Sequence, residues 1–516
     1  CFCSEGEMQK GIFWESAMAA KHFGLNNLYL LMDLNGLQID GKVKHVMNID
    51  PVERKLREFG WDVFSVIDPK ELGDDDPKSE VKNLIEYILR LEDVFNKVDY
   101  FDNPSVPRPK AIVLRTIKGR GFPDIENKPE YHGKISVAEC KSGIEFTDRL
   151  KDILEGYDIG DLREKEEAVN NNNHLRWKSW FEGSAERIKI RPITESFIIT
   201  SSKKPESMRG RYGEALCELK ETYPLLTVLD ADLSNSTKTN IFAKKYPEAF
   251  YNVGIAEGNL AGVASGLCAA GIDPVFMSTF AVFATNNTIE VLRQTVAPSN
   301  IPIKIVASHT GFVGEDGHSH HGCDDVALIK QLPNFYIIKP VDGNETELAV
   351  KAIAGLKNPV YLAIPRDTTP FVLPEGCEFV LGKGYKLVDG DDSRIAIVST
   401  GASPTYEAKK VAEKYNVPLF VFSTIRPIDS GLVEKIFTEY DGLLVVDEHL
   451  RDGCLYDFME QAYLEKNGKT PSVYVEFAVL PREYLQSAPV QDLRKYYGLD
   501  ASGIEMKLRS LEERIG

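Results

Sequence analysis

The sequence predicts an α/β protein with parallel sheets, and three observations predict it. Short apolar, β-rich runs recur at 28–32, 111–114, 226–229, 303–306, 360–364, 395–398, 419–422 and 443–446. Stretches long enough for helices lie between many of them, such as 258–270 and 408–415. That alternation marks repeated βαβ units. Polar groups follow several runs: Asp33-Leu34-Asn35-Gly36, Asp230-Ala231-Asp232 and His309. Open α/β sheets place ligands just past strand C-termini.

The 516 residues suit roughly three domains. Hydrophobic residues are 43% and charged residues 27%, which excludes a disordered, collagen-like or low-complexity chain. Acidic residues number 78 against 61 basic, a net charge of -17. Such a surface repels phosphodiester backbones and anionic lipid, so neither nucleic acid nor membrane is an expected partner. A bound phosphate must be held by local, aimed cations. Eight cysteines, at 1, 3, 140, 217, 268, 323, 377 and 454, are too sparse for a disulfide scaffold. No run approaches the ~18 apolar residues of a membrane-spanning helix, and no leader is expected. A reduced cytoplasmic enzyme is the expectation. The chain opens at Cys1, close to a motif, and reads as a piece of something longer or one subunit of something split.

Three blocks separate, joined by a connector. Residues 1–135 form one α/β unit. Residues 136–206 are charged and irregular, with an Asn run at 170–173, and read as a connector with some helix. Residues 207–376 form a second α/β unit and 377–516 a third.

Three stretches carry the chemistry. Four of nine histidines fall between His309 and His321, in a Gly-rich polar segment that follows a strand. It reads as a loop, and loops carry function. A solvated turn and a zinc site of His318, His320, His321 and Cys323 are alternatives, though zinc prefers separated ligand pairs. Glu257 stands where a strand-like stretch meets a helix of small residues, from Gly258 to Gly266. The macrodipole alone would favour a glutamate there. Phe280 and Phe283 follow, and by themselves they read as core. At the start, Ser4-Glu5-Gly6-Glu7 precedes Asn35-Gly36-Leu37 by about 30 residues. A carboxylate and an amide so placed can converge on one hard cation that bridges to a diphosphate.

Together these residues resemble the transketolase family of thiamine-diphosphate enzymes. SEGE through NGLQIDG is similar to the family's GDG-to-Asn cofactor motif. TIKGRG at 116–121 and YHG at 131–133 resemble the end of its first domain. GIAEGN, STFAVF and GEDGHSHH resemble the second domain, and RIAIVSTG with VVDEH the third. The resemblance implies three doubly wound α/β domains: a partial diphosphate-binding domain (1–135), a pyrimidine-binding domain (207–376) and a transketolase C-terminal domain (377–516). It implies thiamine diphosphate with magnesium or calcium, and a homodimer whose subunits share each active site.

The implied roles follow residue by residue. Glu257 contacts the aminopyrimidine, Phe283 stacks on it and Phe280 is that ring's neighbour. Asp232 lies near the thiazolium, Ile39 packs against the cofactor, and Gly6 is a further cofactor-binding residue. Glu5, Asn35 and the Leu37 carbonyl are metal ligands, Asn35 also serving the cofactor. His132 and His320 handle substrate hydroxyls and protons, which suits a side chain whose ordinary pKa lies near working pH. Asp316 reads a sugar hydroxyl. Arg209, Ser236, His309 and Arg366 line the sugar-phosphate pocket, where arginine forks match phosphate oxygens. The implied reaction moves a two-carbon ketol unit from a ketose phosphate to an aldose phosphate, as in the pentose phosphate pathway.

Three departures qualify the resemblance. Glu5 stands in the place of an aspartate, one methylene longer. Lys10 stands in the place of a glutamate and favours an ionised Glu257. The family's stretch before the GDG motif has no counterpart here, so a gap in the first sheet is expected, filled by a separate N-terminal subunit or lost by truncation. A deoxyxylulose-phosphate-synthase-like carboligase and a non-catalytic partner subunit are the alternative readings. Asp447-Glu448-His449 reads as core packing or a subunit contact rather than a site.

Overall fold

The structure, a computed structural model, describes residues 1–38, 41–67, 108–120, 125–128, 141, 197–198, 207–373 and 378–516. Ile39 and His132 lie outside the described residues. The chain divides into two compact units, Cys1–Glu182 and Gly183–Gly516.

Among the described residues the first unit carries a sheet of four parallel strands: β1 (Phe2–Ser4), β2 (Tyr29–Leu34), β3 (Asp62–Ile67) and β4 (Lys110–Arg115), in the order β1-β2-β4-β3. Helix α1 (Gly11–His22) links β1 to β2, and α2 (Val52–Glu58) leads into β3. Leu30, Met32 and Leu34 alternate inward along β2, as a period of two requires. Trp61 pins α1 to the sheet by donating from Nε1 to the Ala17 carbonyl at 2.9 Å. The register sets Ser4 opposite Asp33 and Asp33 opposite Leu114. The strand ends are therefore level, and Glu5, Asn35 and Thr116 emerge at one edge. Strand β3 lacked an apolar run because Asp62 and Ser65 interrupt it; only Val66 in it is buried.

Among the described residues the second unit holds two larger sheets. The central one contains β5 (Thr227–Asp230), β6 (Phe250–Asn252), β7 (Val275–Phe280), β8 (Lys304–Thr310), β9 (Tyr336–Ile338) and β10 (Val360–Pro365), parallel in the order β9-β10-β8-β7-β5-β6. Every residue of β7, β8 and β10 is buried, as expected for strands covered on both faces. The last sheet contains β11 (Tyr385–Val388), β12 (Ile395–Ser399), β13 (Leu419–Val421), β15 (Gly442–Leu450) and β16 (Tyr474–Leu480), in the order β11-β13-β12-β15-β16, antiparallel only at β11. Between β13 and β15, strand β14 (Thr424–Arg426) leaves this sheet and pairs antiparallel with β9. A strand from beyond residue 376 thus completes the central sheet.

Two elements differ from the sequence reading. The helix expected at 408–415 runs over Ala402–Tyr415. Gly401 opens it at φ +74°, and Pro404 sits in its first turn, where the missing N–H costs nothing. His309 does not follow its strand but lies within β8, at a register shift between Ser308 and Thr310, with φ +63°.

Candidate functional site

In the first unit Glu5 folds back onto the loop that follows β2. Its two carboxylate oxygens accept the Asn35 N–H at 3.1 Å and the Gly36 N–H at 2.8 Å. Gly36 is required there, since φ is +74°. Asn35 Oδ1 accepts the Leu37 N–H at 3.1 Å, and Asn35 Nδ2 donates to Asp33 Oδ2 at 3.3 Å. Thr116 donates to the other Asp33 oxygen. Burial pushes the Glu5 carboxyl up to about 7, against the two backbone N–H groups that favour its charge. Glu5, Asn35 and Leu37 line one cavity of about 290 Å³ together with Lys42, Lys44 and Arg115. Arg115 is held by Glu53, from Nε and Nη2 at 3.0 Å each. Gly6 is exposed beside Glu5, and a Cβ there would meet nothing within 4 Å. The donor set fits a hard divalent cation by its chemistry, for each Glu5 oxygen retains a lone pair and Glu5, Asn35 and Leu37 line one cavity.

In the second unit Glu257 is the first residue of helix α3 (Glu257–Ala269) and is 8% exposed. Its Oε2 accepts from Asn287 Nδ2 at 3.2 Å. Asn287 ends α4 (Ala281–Asn286), the helix that carries Phe283. Phe280 and Phe283 stack with centroids 5.8 Å apart and planes 17° apart. His320 meets Phe283 edge-on at 5.4 Å, and His309 lies 3.8 Å from Phe280. Thr279 Oγ1, one residue before Phe280, is buried without a partner. These aromatic and carboxylate groups fit a flat, polar-edged ring. A Cβ on Gly262 or Gly266 would meet nothing within 4 Å, so part of α3 presents open backbone.

His309 is 4% exposed, and its Nδ1 pairs with Ser308 Oγ at 2.9 Å. Burial first, then the charges of Arg209, Arg366 and His320, pushes it down to about 3, so it is neutral in use. Arg209 donates from Nη1 to the Ser236 carbonyl at 2.6 Å and from Nη2 to the Arg366 carbonyl at 2.7 Å. Arg366 donates from Nη1 to Asp316 Oδ2 at 2.8 Å and to the Val313 carbonyl. Ser236 therefore meets the pocket through its backbone carbonyl. Asp232 is exposed at φ +63°, in a loop shaped by buried Asp230. Asp230 accepts from Leu233 N, Thr237 Oγ1 and Thr239 Oγ1 at 2.6–2.9 Å.

The histidine-rich loop is pinched at its neck by Gly311 and Gly322, which exchange two backbone hydrogen bonds. A Cβ on Gly322 would lie 2.6 Å from Ala281 Cβ. His321 is a strut, not a ligand: Nδ1 accepts from Val313 N and Nε2 donates to the Gln486 carbonyl, each at 3.0 Å. Cys323 is buried, and its burial raises the thiol well above its ordinary value. Among the described residues no group of three or more metal-ligating side chains is gathered.

Sequence reasoning missed the supports of this loop. Glu448 Oε1 accepts the Phe312 N–H at 3.0 Å, and Ser487 Oγ donates to the Glu315 carbonyl at 2.5 Å. Asp447 and His449 are buried beside them, Asp447 paired with Lys339 at 2.6 Å. Only the repeated charged residues of VVDEH inside an apolar strand signalled something unusual. Asn287 had no signal beyond closing a helix.

Residues 1–192 match the family model of the transketolase thiamine diphosphate binding domain, and residues 204–371 that of the transketolase pyrimidine binding domain. A transketolase C-terminal section of Methanocaldococcus jannaschii is 36% identical over 59% of this chain and 95% of its own length. Human transketolase is 26% identical over 99% of this chain and 75% of its own length. A solved structure described as a split-gene transketolase, an inactive β4 tetramer, is 34% identical with a TM-score of 0.53, covering 59% of this chain and 98% of its own. The transketolase of Leishmania mexicana has a TM-score of 0.68 at 20% identity, over 99% of this chain and 75% of its own, a likeness of fold.

The two matched models define a class of α/β proteins with a thiamine diphosphate binding domain and a pyrimidine binding domain. The chain belongs to the transketolase family. Both of the family's matched domains, the diphosphate-binding and the pyrimidine-binding, are present in it. Among the described residues no helix is long and apolar enough to cross a membrane.

Proposed function

We propose that this chain transfers a two-carbon ketol unit from a ketose phosphate to an aldose phosphate, as one part of a thiamine-diphosphate enzyme. The observation that carries the reading is the grouping of stacked Phe280 and Phe283 with His309 and His320, beside Arg209 and Arg366. Bound thiamine diphosphate supplies the nucleophilic carbon and the electron sink for cleaving the bond beside a ketose carbonyl.

The chain's own residues supply placement and proton control. Glu5, Asn35 and the Leu37 carbonyl would hold a magnesium ion, with Lys42 and Lys44 beside the diphosphate. Phe283 would pack on the pyrimidine, and Glu257 would hold a proton at its ring nitrogen. His320, with Nδ1 paired to Ser319 Oγ at 2.9 Å, would move protons at substrate hydroxyls. Asp316 and neutral His309 would orient the sugar chain, and the two arginines would grip the phosphate. His132 belongs to this set by resemblance.

A shared site between two copies, and a separate N-terminal subunit, belong to the same reading. The separate subunit draws support from relatives described as a C-terminal section and a split-gene transketolase, and the shared site follows from the family resemblance. The test is calorimetry of thiamine diphosphate with magnesium, followed by a transfer assay on xylulose and ribose phosphates, with the chain alone and with an N-terminal transketolase subunit. Magnesium-dependent binding and transfer are expected. No transfer with the subunit present overturns the reading in favour of a non-catalytic partner.

A further inference from the structure

Arg366 already carries an anion. Its Nη1 donates to Asp316 Oδ2 at 2.8 Å and to the Val313 carbonyl. Among the described residues both of its side-chain hydrogen bonds run through that one nitrogen. A phosphate reaching Arg366 therefore meets a guanidinium whose charge a carboxylate has already balanced. A second anion set beside that carboxylate is repelled by it.

The backbone on both sides of the pair is held. Gly317 N donates to the Gly314 carbonyl at 3.2 Å, closing a turn with Glu315 and Asp316 at its tip. Gly314 at φ +89° and Gly317 at φ +75° allow that turn. Ser487 Oγ holds the Glu315 carbonyl, and Arg366 holds that of Val313. Arg209 fixes the other partner, donating from Nη2 to the Arg366 carbonyl at 2.7 Å. Among the described residues the Asp316 carboxylate is bonded to Arg366 alone. Its exchange thus needs a side-chain rotation and no movement of the loop. The two side chains are 47% and 39% exposed, so an anion from solvent can reach the pair. An ion pair so exposed is weak enough to exchange.

We propose that Asp316 is the pocket's internal counter-anion: its carboxylate sits on Arg366 in the free chain, and a phosphate group that takes Arg366 releases it toward the substrate's hydroxyls. The proposal rests on the reading of Arg209 and Arg366 as the sugar-phosphate pocket. It makes that pocket selective by chemical class. A phosphorylated sugar displaces the carboxylate and gains it as a hydroxyl acceptor. A neutral sugar leaves it on Arg366.

Inorganic phosphate is the probe, titrated calorimetrically into the full chain, into Asp316→Asn and into Glu315→Gln. Glu315 is exposed beside Asp316 and joins the turn through its carbonyl. Glu315→Gln therefore removes a charge from nearly the same place without touching the pair with Arg366. Asp316→Asn is expected to bind phosphate about threefold to fivefold tighter than the wild type. Glu315→Gln is expected to stay within about 1.5-fold of it, since solvent screens an unpaired surface charge. Tightening in Asp316→Asn no greater than in Glu315→Gln overturns the proposal and leaves the pocket reading standing. Binding seen only in Asp316→Asn supports the proposal, as the extreme of the same effect. No phosphate binding by any of the three chains overturns the pocket reading and the proposal with it.

Discussion

The His309 imidazole lies against the Phe280 ring, with centroids 3.8 Å apart and planes tilted by 30°. The packing leaves no room for hydration of an imidazolium. The folded value of about 3 lies below the ordinary 6.5. Between those limits the unfolded chain binds a proton that the folded chain does not. Stability from this group is complete above about 6.5 and is lost as pH falls toward 3. His309→Asn removes the proton site, and asparagine tolerates the left-handed backbone. The wild-type melting temperature should fall more steeply than the variant's below about pH 6.5. Parallel curves would contradict the assignment.

Glu5 shows the opposite sign. Its folded value, about 7, lies above the ordinary 4.5. Its contribution to stability is present below 4.5 and is lost as pH rises through about 7. A cation on Glu5 must displace that proton. Magnesium affinity, measured calorimetrically with thiamine diphosphate present, should rise up to about tenfold per pH unit below 7 and level off above it. Glu5→Gln should bind more weakly and without that slope; a retained slope would assign the proton to another group.

Glu257→Gln keeps an oxygen to accept from Asn287 and so should keep the fold. Turnover in the transfer assay should drop about 1,000-fold while cofactor affinity stays within about threefold. A parallel loss of affinity would make Glu257 a binding group rather than a proton holder.

Lys10 precedes the first turn of α1, with no side-chain cap there, and places a positive charge at the positive end of the dipole. Lys10→Glu should raise the melting temperature by ~1–2 °C. By its place in the family motif it should also raise turnover, and unchanged turnover would remove that role from position 10.

His321 should appear in nitrogen-15 spectra as the Nε2–H tautomer at neutral pH, since Nδ1 accepts from Val313 N. His321→Ala leaves the Val313 N–H and the Gln486 carbonyl unpaired and should cost about 2 kcal/mol in denaturant unfolding. An Nδ1–H spectrum would show the strut to be differently wired.

The fold and the site were legible to different depths. The buried strands of the central sheet announce themselves because both faces are apolar, so β8 and β10 read as continuous runs. Strand β3 did not, with Asp62 and Ser65 facing water or ions. Glu257, Phe280 and His320 were singled out because each sits in a compact segment that resembles a family motif, and the structure brings Phe280 and His320 to 6.2 Å. Their support was not legible. The Phe312 N–H and the Glu448 carboxylate are 136 residues apart, and Glu315 and Ser487 are 172 apart. No spacing rule connects such pairs; only the folding of the last sheet against the central one brings them together. VVDEH was read as core packing or a subunit contact; its charged residues marked it as unusual without pointing to the bond between Glu448 and the histidine loop.

The neck formed by Gly311 and Gly322 has a consequence for how such chains can be recombined. The loop above it takes its shape from a mould supplied elsewhere: Glu448, Gln486 and Ser487. A chimera that exchanged only the last sheet with a relative's would inherit every proposed site side chain of the central sheet unchanged. It would still cast the histidine loop in a different form. Blocks that look independent along the gene are in this respect a single heritable part.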